Sequence, residues 1–165
     1  MKLESLKDLY LEQLKDLYSA ENQLVEALPK MAEKANAPDL RKGFKDHLRQ
    51  TEQHVKRLER IFKDLQESPE GKECEGMKGL VKEGEEMMKM KGEPAAIDAG
   101  LIAAAQRVEH YEIAGYGTVR TFAQRLGRSD IAQVLQQTLD EEGATDKKLT
   151  ALAEQTINPR AATTA

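Results

Sequence analysis

The sequence has little of several residue types that define whole classes of protein. It contains one cysteine, Cys74, and no tryptophan in 165 residues. A single thiol excludes an intrachain disulfide, and with no histidine near it in the sequence it gives no sign of a catalytic cysteine. No apolar run approaches the roughly 20 residues of a membrane-spanning helix, and the first residues lack the basic-then-apolar profile of a signal peptide. These absences predict a cytoplasmic protein with no membrane partner.

An excess of either charge is also missing. Lysine and arginine number 25 against 29 aspartates and glutamates, which gives a formal net charge of -4. This balance predicts no overall attraction to nucleic acid. With 39% hydrophobic residues the chain has enough apolar material for one buried core. We therefore expect a single acidic domain that is soluble in water.

The alternation typical of strands is absent too, while helical periodicity extends over most of the chain. Apolar residues recur at spacings of three, four and seven. The pattern predicts four long helices, at about 3–35, 40–65, 94–127 and 130–156. It predicts a bundle over residues 1–157, followed by a mobile C-terminal tail at 158–165.

The connections between these helices predict the topology. Those after the first and third helices are short, so each helix pair should form an antiparallel hairpin. The connection at about 67–93 is long enough to cross the length of the bundle and carries a short helix weakened by glycine. One long crossover is typical of ferritin-like folds. The predicted fold class is therefore all-α, a ferritin-like four-helix bundle with a short fifth helix on its crossover.

Polar residues interrupt the apolar stripes near the middle of each long helix. The interruptions are Glu21 in the first helix, Thr51 in the second, Glu112 in the third and Glu142 in the fourth. Because each lies within about one turn of its helix centre, the four should share one level of the bundle.

Further polar residues surround this level. Glu109 and Asp146 each lie one turn from a stripe glutamate, on the same helical face. His47 and His54 lie one turn either side of the stripe threonine, each about 60° from the centre of the stripe. From this flank position we consider His47 a candidate ligand and His54 a residue that surrounds the ligands.

Carboxylates that face one another in an apolar interior require compensation, because each unpaired buried charge costs several kcal/mol. Protonation, a buried Lys or Arg, and a metal ion are three solutions. No Lys or Arg lies on the central stripes, which favours the metal. Oxygen ligands with an imidazole suit iron or manganese, and two such ions can share carboxylates. Zinc stays open by ligand type, although it suits a carboxylate-rich site less well.

Other side chains near this level have roles that the pattern leaves open. Tyr18 and Tyr111 flank it and could hydrogen-bond the carboxylates or take part in redox chemistry, although packing with a satisfied hydroxyl is the simpler role. His110 lies on the opposite side of the third helix and should be exposed. Gly115 and Gly117 weaken that helix by up to about 1 kcal/mol each, which predicts close approach of another helix, either within the bundle or from a second subunit.

Four stretches carry a resemblance to a known family. They are LKDLYSAENQLVEALPKMA, HLRQTEQHVKRLERIF, LIAAAQRVEHYEIAGYGT and LDEEGATDKKLTALA, and together they closely resemble the YciF/YciE-type ferritin-like proteins of bacteria. The resemblance covers nearly the whole chain. It implies a stress-associated helical-bundle protein, usually a homodimer, related in fold to rubrerythrin and manganese catalases. The metal-binding positions that it implies are Glu21, His47, Glu109, Glu112, Glu142 and Asp146.

The sequence departs from the standard ferritin-like pattern, which has Glu-x-x-His in the second and fourth helices. Thr51 stands in place of the glutamate, and neither Val55 nor Thr145 supplies an imidazole. The second helix therefore offers a histidine and a hydroxyl. The residues expected to surround the ligands are Tyr18, Thr51, His54, Tyr111 and Thr145.

We expect a stress-associated protein that binds a dinuclear iron or manganese centre. If it is an enzyme, the resemblance implies a di-metal oxidoreductase of the ferroxidase, rubrerythrin or manganese-catalase type, with oxygen or peroxide as a small oxidant. The alternative is a non-enzymatic structural bundle that acts through protein partners and uses its polar layer to set helix register. The residues leave the metal, the substrate and the inducing stress open.

Overall fold

A computed structural model describes residues 3–163 and contains no strand within that range. Four long helices account for most of it. They are α1 (Leu6–Lys34), α2 (Pro38–Leu65), α4 (Pro94–Arg125) and α5 (Ser129–Leu152), and the shorter α3 (Glu75–Lys89) lies on the crossover from α2 to α4. The structure confirms the all-α bundle with one long crossover and a short fifth helix. None of the helices in residues 3–163 has a stretch long and apolar enough to cross a membrane.

Two hairpins form the bundle, α1 with α2 and α4 with α5, and they pack against each other. A buried side chain from α4 fixes the turn of the first hairpin. The carboxylate of Asp98 accepts hydrogen bonds from the backbone N–H groups of Asn36 and Ala37, both at 2.8 Å. These donors lie just before α2, where backbone N–H groups lack partners within the helix. Asp98 therefore ties the two hairpins together at one end.

The crossover helix α3 packs against α1 and α4. The residue that precedes it, Cys74, is fully buried. Its Sγ lies 3.1 Å from Asp16 Oδ2 and 3.0 Å from the hydroxyl of Tyr111. The lone thiol is thus part of the packing that holds the crossover on the bundle.

The buried apolar side chains form two clusters, one toward each end of the bundle. The first includes Leu24, Leu28, Phe44, Leu101 and Leu149, and the second includes Tyr10, Leu14, Leu58, Val119 and Ile131. In each long helix, buried polar residues lie between the members of the two clusters. The fold therefore places one polar layer across the middle of an apolar interior.

Residues 158–162 of the expected C-terminal tail at 158–165 are helical, while the mobility of the tail stays a prediction. After α5 the chain continues through a π-helical turn, Ala153–Ile157, into α6, Asn158–Ala162. Ala153 and Ile157 are buried, and α6 packs against α4. The apolar side chain of Ile157 anchors this extension, so the bundle reaches Ala162. Positions 164 and 165 of the expected tail lie outside the described residues.

Candidate metal centre

Seven buried side chains form the polar layer, and all four long helices contribute. They are Glu21 from α1, His47, Thr51 and His54 from α2, Glu109 and Glu112 from α4, and Glu142 from α5. None of them is more than 3% exposed. The spacing of three and four residues on each helix directs these side chains to the same interior face that the apolar residues occupy above and below.

The ligand atoms of this layer fall into two adjoining groups. One comprises His47, Glu109, Glu112 and Glu142, and the other comprises Glu21, His54 and Glu142. Within each group, one ligand atom from every residue lies within 4.8 Å of the others. Because Glu142 belongs to both groups, the arrangement has the form of two metal positions with a shared carboxylate.

The closest contacts join imidazole nitrogens to carboxylate oxygens. His47 Nε2 lies 3.0 Å from Glu109 Oε1 and 3.9 Å from Glu142 Oε2. His54 Nδ1 lies 2.9 Å from Glu142 Oε1 and 3.3 Å from Glu21 Oε1. Each histidine therefore directs one ring nitrogen into the group of carboxylates.

Many of these atoms have no hydrogen-bonding partner among residues 3–163. They include both carboxylate oxygens of Glu112 and of Glu142, Thr51 Oγ1, His47 Nε2 and His54 Nδ1. A buried polar atom without a partner costs about 1–3 kcal/mol. The short nitrogen–oxygen contacts therefore leave these atoms without a partner, and the ligand atoms of each group lie within 4.8 Å of one another. Such a set of donors fits a bound cation.

The pKa shifts of the residues in the layer show that it stabilises positive charge. Burial lowers the pKa of His47, but the carboxylates of Glu109, Glu142 and Glu21 outweigh it and raise the pKa to about 9. The same balance at His54, with Glu142 and Glu21 as its neighbours, raises the pKa to about 11. Burial, with the neighbouring carboxylates, raises the pKa of Glu112 well above its usual value. The metal-free layer therefore holds protons where a metal would place its charge.

Two residues outside the layer fix the orientation of His54. His54 Nε2 lies 2.8 Å from Glu141 Oε2, and the Glu141 carboxylate accepts hydrogen bonds of 2.7 and 2.9 Å from the guanidinium of Arg57. Burial raises the pKa of Glu141, but hydrogen bonds from Arg57 and His54 outweigh it and lower the pKa to about 2. A carboxylate at Nε2 keeps the ring proton there and leaves Nδ1 free to bind a metal.

Comparison with known proteins agrees with the fold and with the resemblance. The sequence profile of a family described as a domain of unknown function, DUF892, matches residues 5–162. This chain belongs to the DUF892 family. It is 40% identical over 162 residues to Protein YciF of Escherichia coli, which covers 98% of each chain.

Solved structures agree with the fold as well. The crystal structure of the E. coli stress protein YciF matches with a TM-score of 0.91 at 39% identity, over 94% of this chain and 99% of that one. YcfI from Rhodopseudomonas palustris matches with a TM-score of 0.87 at 42% identity, over 90% and 95% of the two chains. A protein from Xanthomonas campestris, at 19% identity and a TM-score of 0.74 over 93% and 94% of the chains, shows the shared fold alone.

Five of the six residues predicted as metal ligands come together in this DUF892 chain, and Asp146 does not. Its side chain points away from the layer, 3.1 Å from Gln106 Nε2 and 3.3 Å from His110 Nε2. The side chain of His110 is 69% exposed, as its position on the helix indicates. Thr145, the residue before Asp146, faces the interior in its place.

Tyr18 and Tyr111, which were expected to surround the ligands, do not contact the polar layer. The hydroxyl of Tyr18 lies 3.4 Å from Glu59, and that of Tyr111 donates a 2.5 Å hydrogen bond to Asp16, so neither reaches the layer. The hydroxyl of the buried Tyr116 instead donates to Glu21. Tyr116 lies four residues after Glu112, and that spacing was the signal that could have found it. Glu141 and Arg57 had no comparable signal because they act from the edge of the bundle.

Proposed function

We propose that this chain binds a pair of iron or manganese ions in its polar layer and reacts there with oxygen or peroxide, in defence against stress. The observation that carries the proposal is that buried nitrogen and oxygen atoms from four helices, several of them without a partner among residues 3–163, lie together in two adjoining groups. The description of the similar E. coli protein as a stress protein supports the physiological setting. A homodimer, which the resemblance implies, and a cytoplasmic location belong to the same proposal.

The charge of the donor set supports two divalent ions. Four buried glutamates, Glu21, Glu109, Glu112 and Glu142, carry at most four negative charges, which two divalent ions neutralise with both histidines neutral. Oxygen-rich sets with one imidazole per metal suit iron and manganese better than zinc, which prefers fewer ligands and more nitrogen or sulfur. When bound, such ions supply electrons and Lewis acidity toward oxygen or peroxide.

The residues of the layer have separate parts in holding these ions. His47, Glu109 and Glu112 would hold one, Glu21 and His54 the other, and Glu142 both. The hydroxyl of Thr51, buried and without a partner among residues 3–163, would stand where most ferritin-like chains place a carboxylate. The hydrogen bond from Tyr116 would keep Glu21 in its orientation. The apolar clusters shield the layer from water at the two ends of the bundle.

Metal content tests the proposal. The protein is purified without added metal, loaded with iron or manganese, and analysed for elements beside two matched variants, Glu112→Gln and Asp146→Asn. We expect close to two ions per chain in the wild type, a loss of at least one in Glu112→Gln, and no loss in Asp146→Asn. Less than one ion per chain in the wild type, or equal content in Glu112→Gln, would overturn the metal centre.

Turnover is a separate measurement on the loaded protein. Consumption of oxygen or peroxide above that of the metal-free protein and of Glu112→Gln supports an oxidoreductase. A loaded protein that consumes neither corresponds to the alternative, a structural bundle in which the metal has no catalytic part. Sedimentation equilibrium measures the homodimer independently of both results.

A further inference from the structure

A cavity of about 290 Å³ lies between α2 and α5 and leads from the surface to the polar layer. Its outer rim includes the exposed residues Asp39 and Lys148, and its inner end reaches the buried residues His47, Glu109 and Thr145. It therefore connects solvent with one of the two groups of ligand atoms. We refer to it below as the α2–α5 groove.

The volume of the α2–α5 groove exceeds what a small oxidant needs. A water molecule occupies about 30 Å³ in the liquid, and an apolar protein cavity of about 150 Å³ is large enough for benzene. A cavity of about 290 Å³ holds a molecule of about ten non-hydrogen atoms by the same scale. Oxygen or hydrogen peroxide would fill only a small part of it.

The chemistry of the groove changes from its walls to its inner end. Leu40, Phe44 and Leu149 are buried side chains that line it with apolar surface. At the inner end, Thr145 Oγ1 makes only long contacts, 3.5 Å to His47 Nδ1 and 3.4 Å to Gln50 Oε1. Hydrogen bonds of this length are weak, so the Thr145 hydroxyl is available to a ligand.

The charges at the rim do not favour an ionic ligand. Lys42 is paired with Asp46 at 2.6 Å. The two other charged rim residues are Asp39 and Lys148. Neither forms an ion pair among residues 3–163, and their opposite charges sum to zero. The rim of the groove therefore carries no net charge, and its walls are apolar. Such a groove suits an uncharged molecule.

We propose that the α2–α5 groove binds an uncharged organic molecule with an apolar body and one hydroxyl-type end group, the class of alcohols, phenols and organic hydroperoxides. The body lies against Phe44 and Leu149, and the end group meets the Thr145 hydroxyl beside His47. This inference deepens the proposed function and rests on it only for the assignment of the bound molecule as a substrate. Binding itself needs no metal.

Glycine substitutions test the groove without removing any existing side chain. Gly43 lines it, and a Cβ added there meets nothing within 4 Å; the same is true of Gly79, an exposed residue of α3 outside the groove. Gly43→Phe and Gly79→Phe are therefore matched. The full chain, metal-free and metal-loaded, is titrated with 1-octanol by calorimetry and by NMR.

We expect saturable binding of 1-octanol to the wild type and to Gly79→Phe, weakened at least tenfold in Gly43→Phe. Thr145→Val, which keeps the shape of the side chain, should weaken it about two- to tenfold by loss of one hydrogen bond. No saturable binding, or equal binding in the two glycine variants, overturns the groove as a ligand site. Tighter binding of octanoate or octylammonium overturns the uncharged class, and equal affinity in Thr145→Val overturns the position of the end group.

Metal content measured on the same samples separates this inference from the proposed function. A chain that binds 1-octanol but no metal refutes the metal centre and leaves the groove as a ligand site. A chain that binds metal but no 1-octanol refutes the groove alone.

Discussion

His54 and Glu141 form a contact that determines which nitrogen of the histidine faces the interior. With Glu141 Oε2 2.8 Å from Nε2, the ring presents Nδ1 to Glu142 at 2.9 Å. The carboxylate of Glu141 is itself held by Arg57, which is only 16% exposed. Residues at the outer edge of the bundle thus fix the orientation of a side chain in its centre.

Removing this contact should weaken one metal position and spare the other. In Glu141→Ala the His54 ring loses the acceptor for its Nε2 proton. We therefore expect the affinity for the ion that His54 would hold to fall about 10- to 100-fold. Calorimetric titration with manganese measures both steps. The control, Glu52→Ala, removes an exposed carboxylate from α2 and should leave both steps unchanged. Identical titrations of the two variants would show that Glu141 does not position a ligand.

Replacing Glu112 with methionine should have opposite effects on the stability of the metal-free and the metal-loaded protein. Both of its carboxylate oxygens are buried without a partner among residues 3–163. In the metal-free protein, Glu112→Met replaces them with an apolar side chain of similar size, which should raise the free energy of unfolding by about 1–4 kcal/mol. In the loaded protein the same change removes a ligand, so the stabilisation that metal gives the wild type should be lost.

Thermal unfolding with and without manganese measures this reversal. The exposed Glu83 of α3 provides the control, since Glu83→Met should change neither melting temperature appreciably. If Glu112→Met destabilises the metal-free protein, the carboxyl has a structural partner and the argument from its unpaired oxygens is wrong.

The level of the site could be read from the sequence because glutamates interrupt otherwise apolar stripes. The central parts of the predicted stripes of α1 and α5, at 10–28 and 131–149, are buried, including Glu21 and Glu142. In α2 the apolar periodicity predicts an inward stripe that includes Leu48, Thr51 and Val55, with the two histidines at its flank. The structure buries Thr51 as predicted, but it also buries His47 and His54, and it leaves Leu48 and Val55 half-buried.

The reason for this difference is physical. An apolar stripe indicates the buried face of a helix only where the surrounding core is apolar. In the middle of α2 the buried residues are themselves part of the polar layer, so they do not continue the apolar stripe. Contacts between distant helices, such as those of Glu141 with Arg57 and His54, have no periodicity within one helix. They depend on how the hairpins pack, which spacing alone does not fix.

Asp98 should contribute strongly to stability. It is 2% exposed, and its two oxygens each accept one backbone hydrogen bond from the turn of the first hairpin. In Asp98→Asn one acceptor becomes an amide donor that faces an N–H group. We therefore expect the free energy of unfolding to fall by about 1–3 kcal/mol. Urea unfolding of the metal-free protein measures it. The exposed Asp64 is the control, and a loss in Asp64→Asn equal to that in Asp98→Asn would contradict the role of the buried carboxylate.

Gly115 and Gly117 should respond differently to the same substitution. A Cβ added at Gly115 would lie 2.7 Å from Cδ2 of Leu17, which is 1% exposed, whereas one added at Gly117 would meet nothing within 4 Å. The predicted close approach of a helix within the bundle is therefore confirmed at Gly115, and within this chain it does not occur at Gly117. Gly117→Ala should stabilise the protein by up to about 1 kcal/mol through helix propensity.

At Gly115 the overpacking of Leu17 opposes that gain. Extra methyl groups in a packed core cost about 1–3 kcal/mol, so Gly115→Ala should be less stable than Gly117→Ala by at least about 1 kcal/mol. Urea unfolding of the two metal-free variants gives the difference directly. A double variant with Leu17→Val, which frees space beside the new methyl group, should reduce the cost of Gly115→Ala but leave the effect of Gly117→Ala unchanged. Equal stabilisation by both alanines would mean that α1 can move away from α4 at this position without cost.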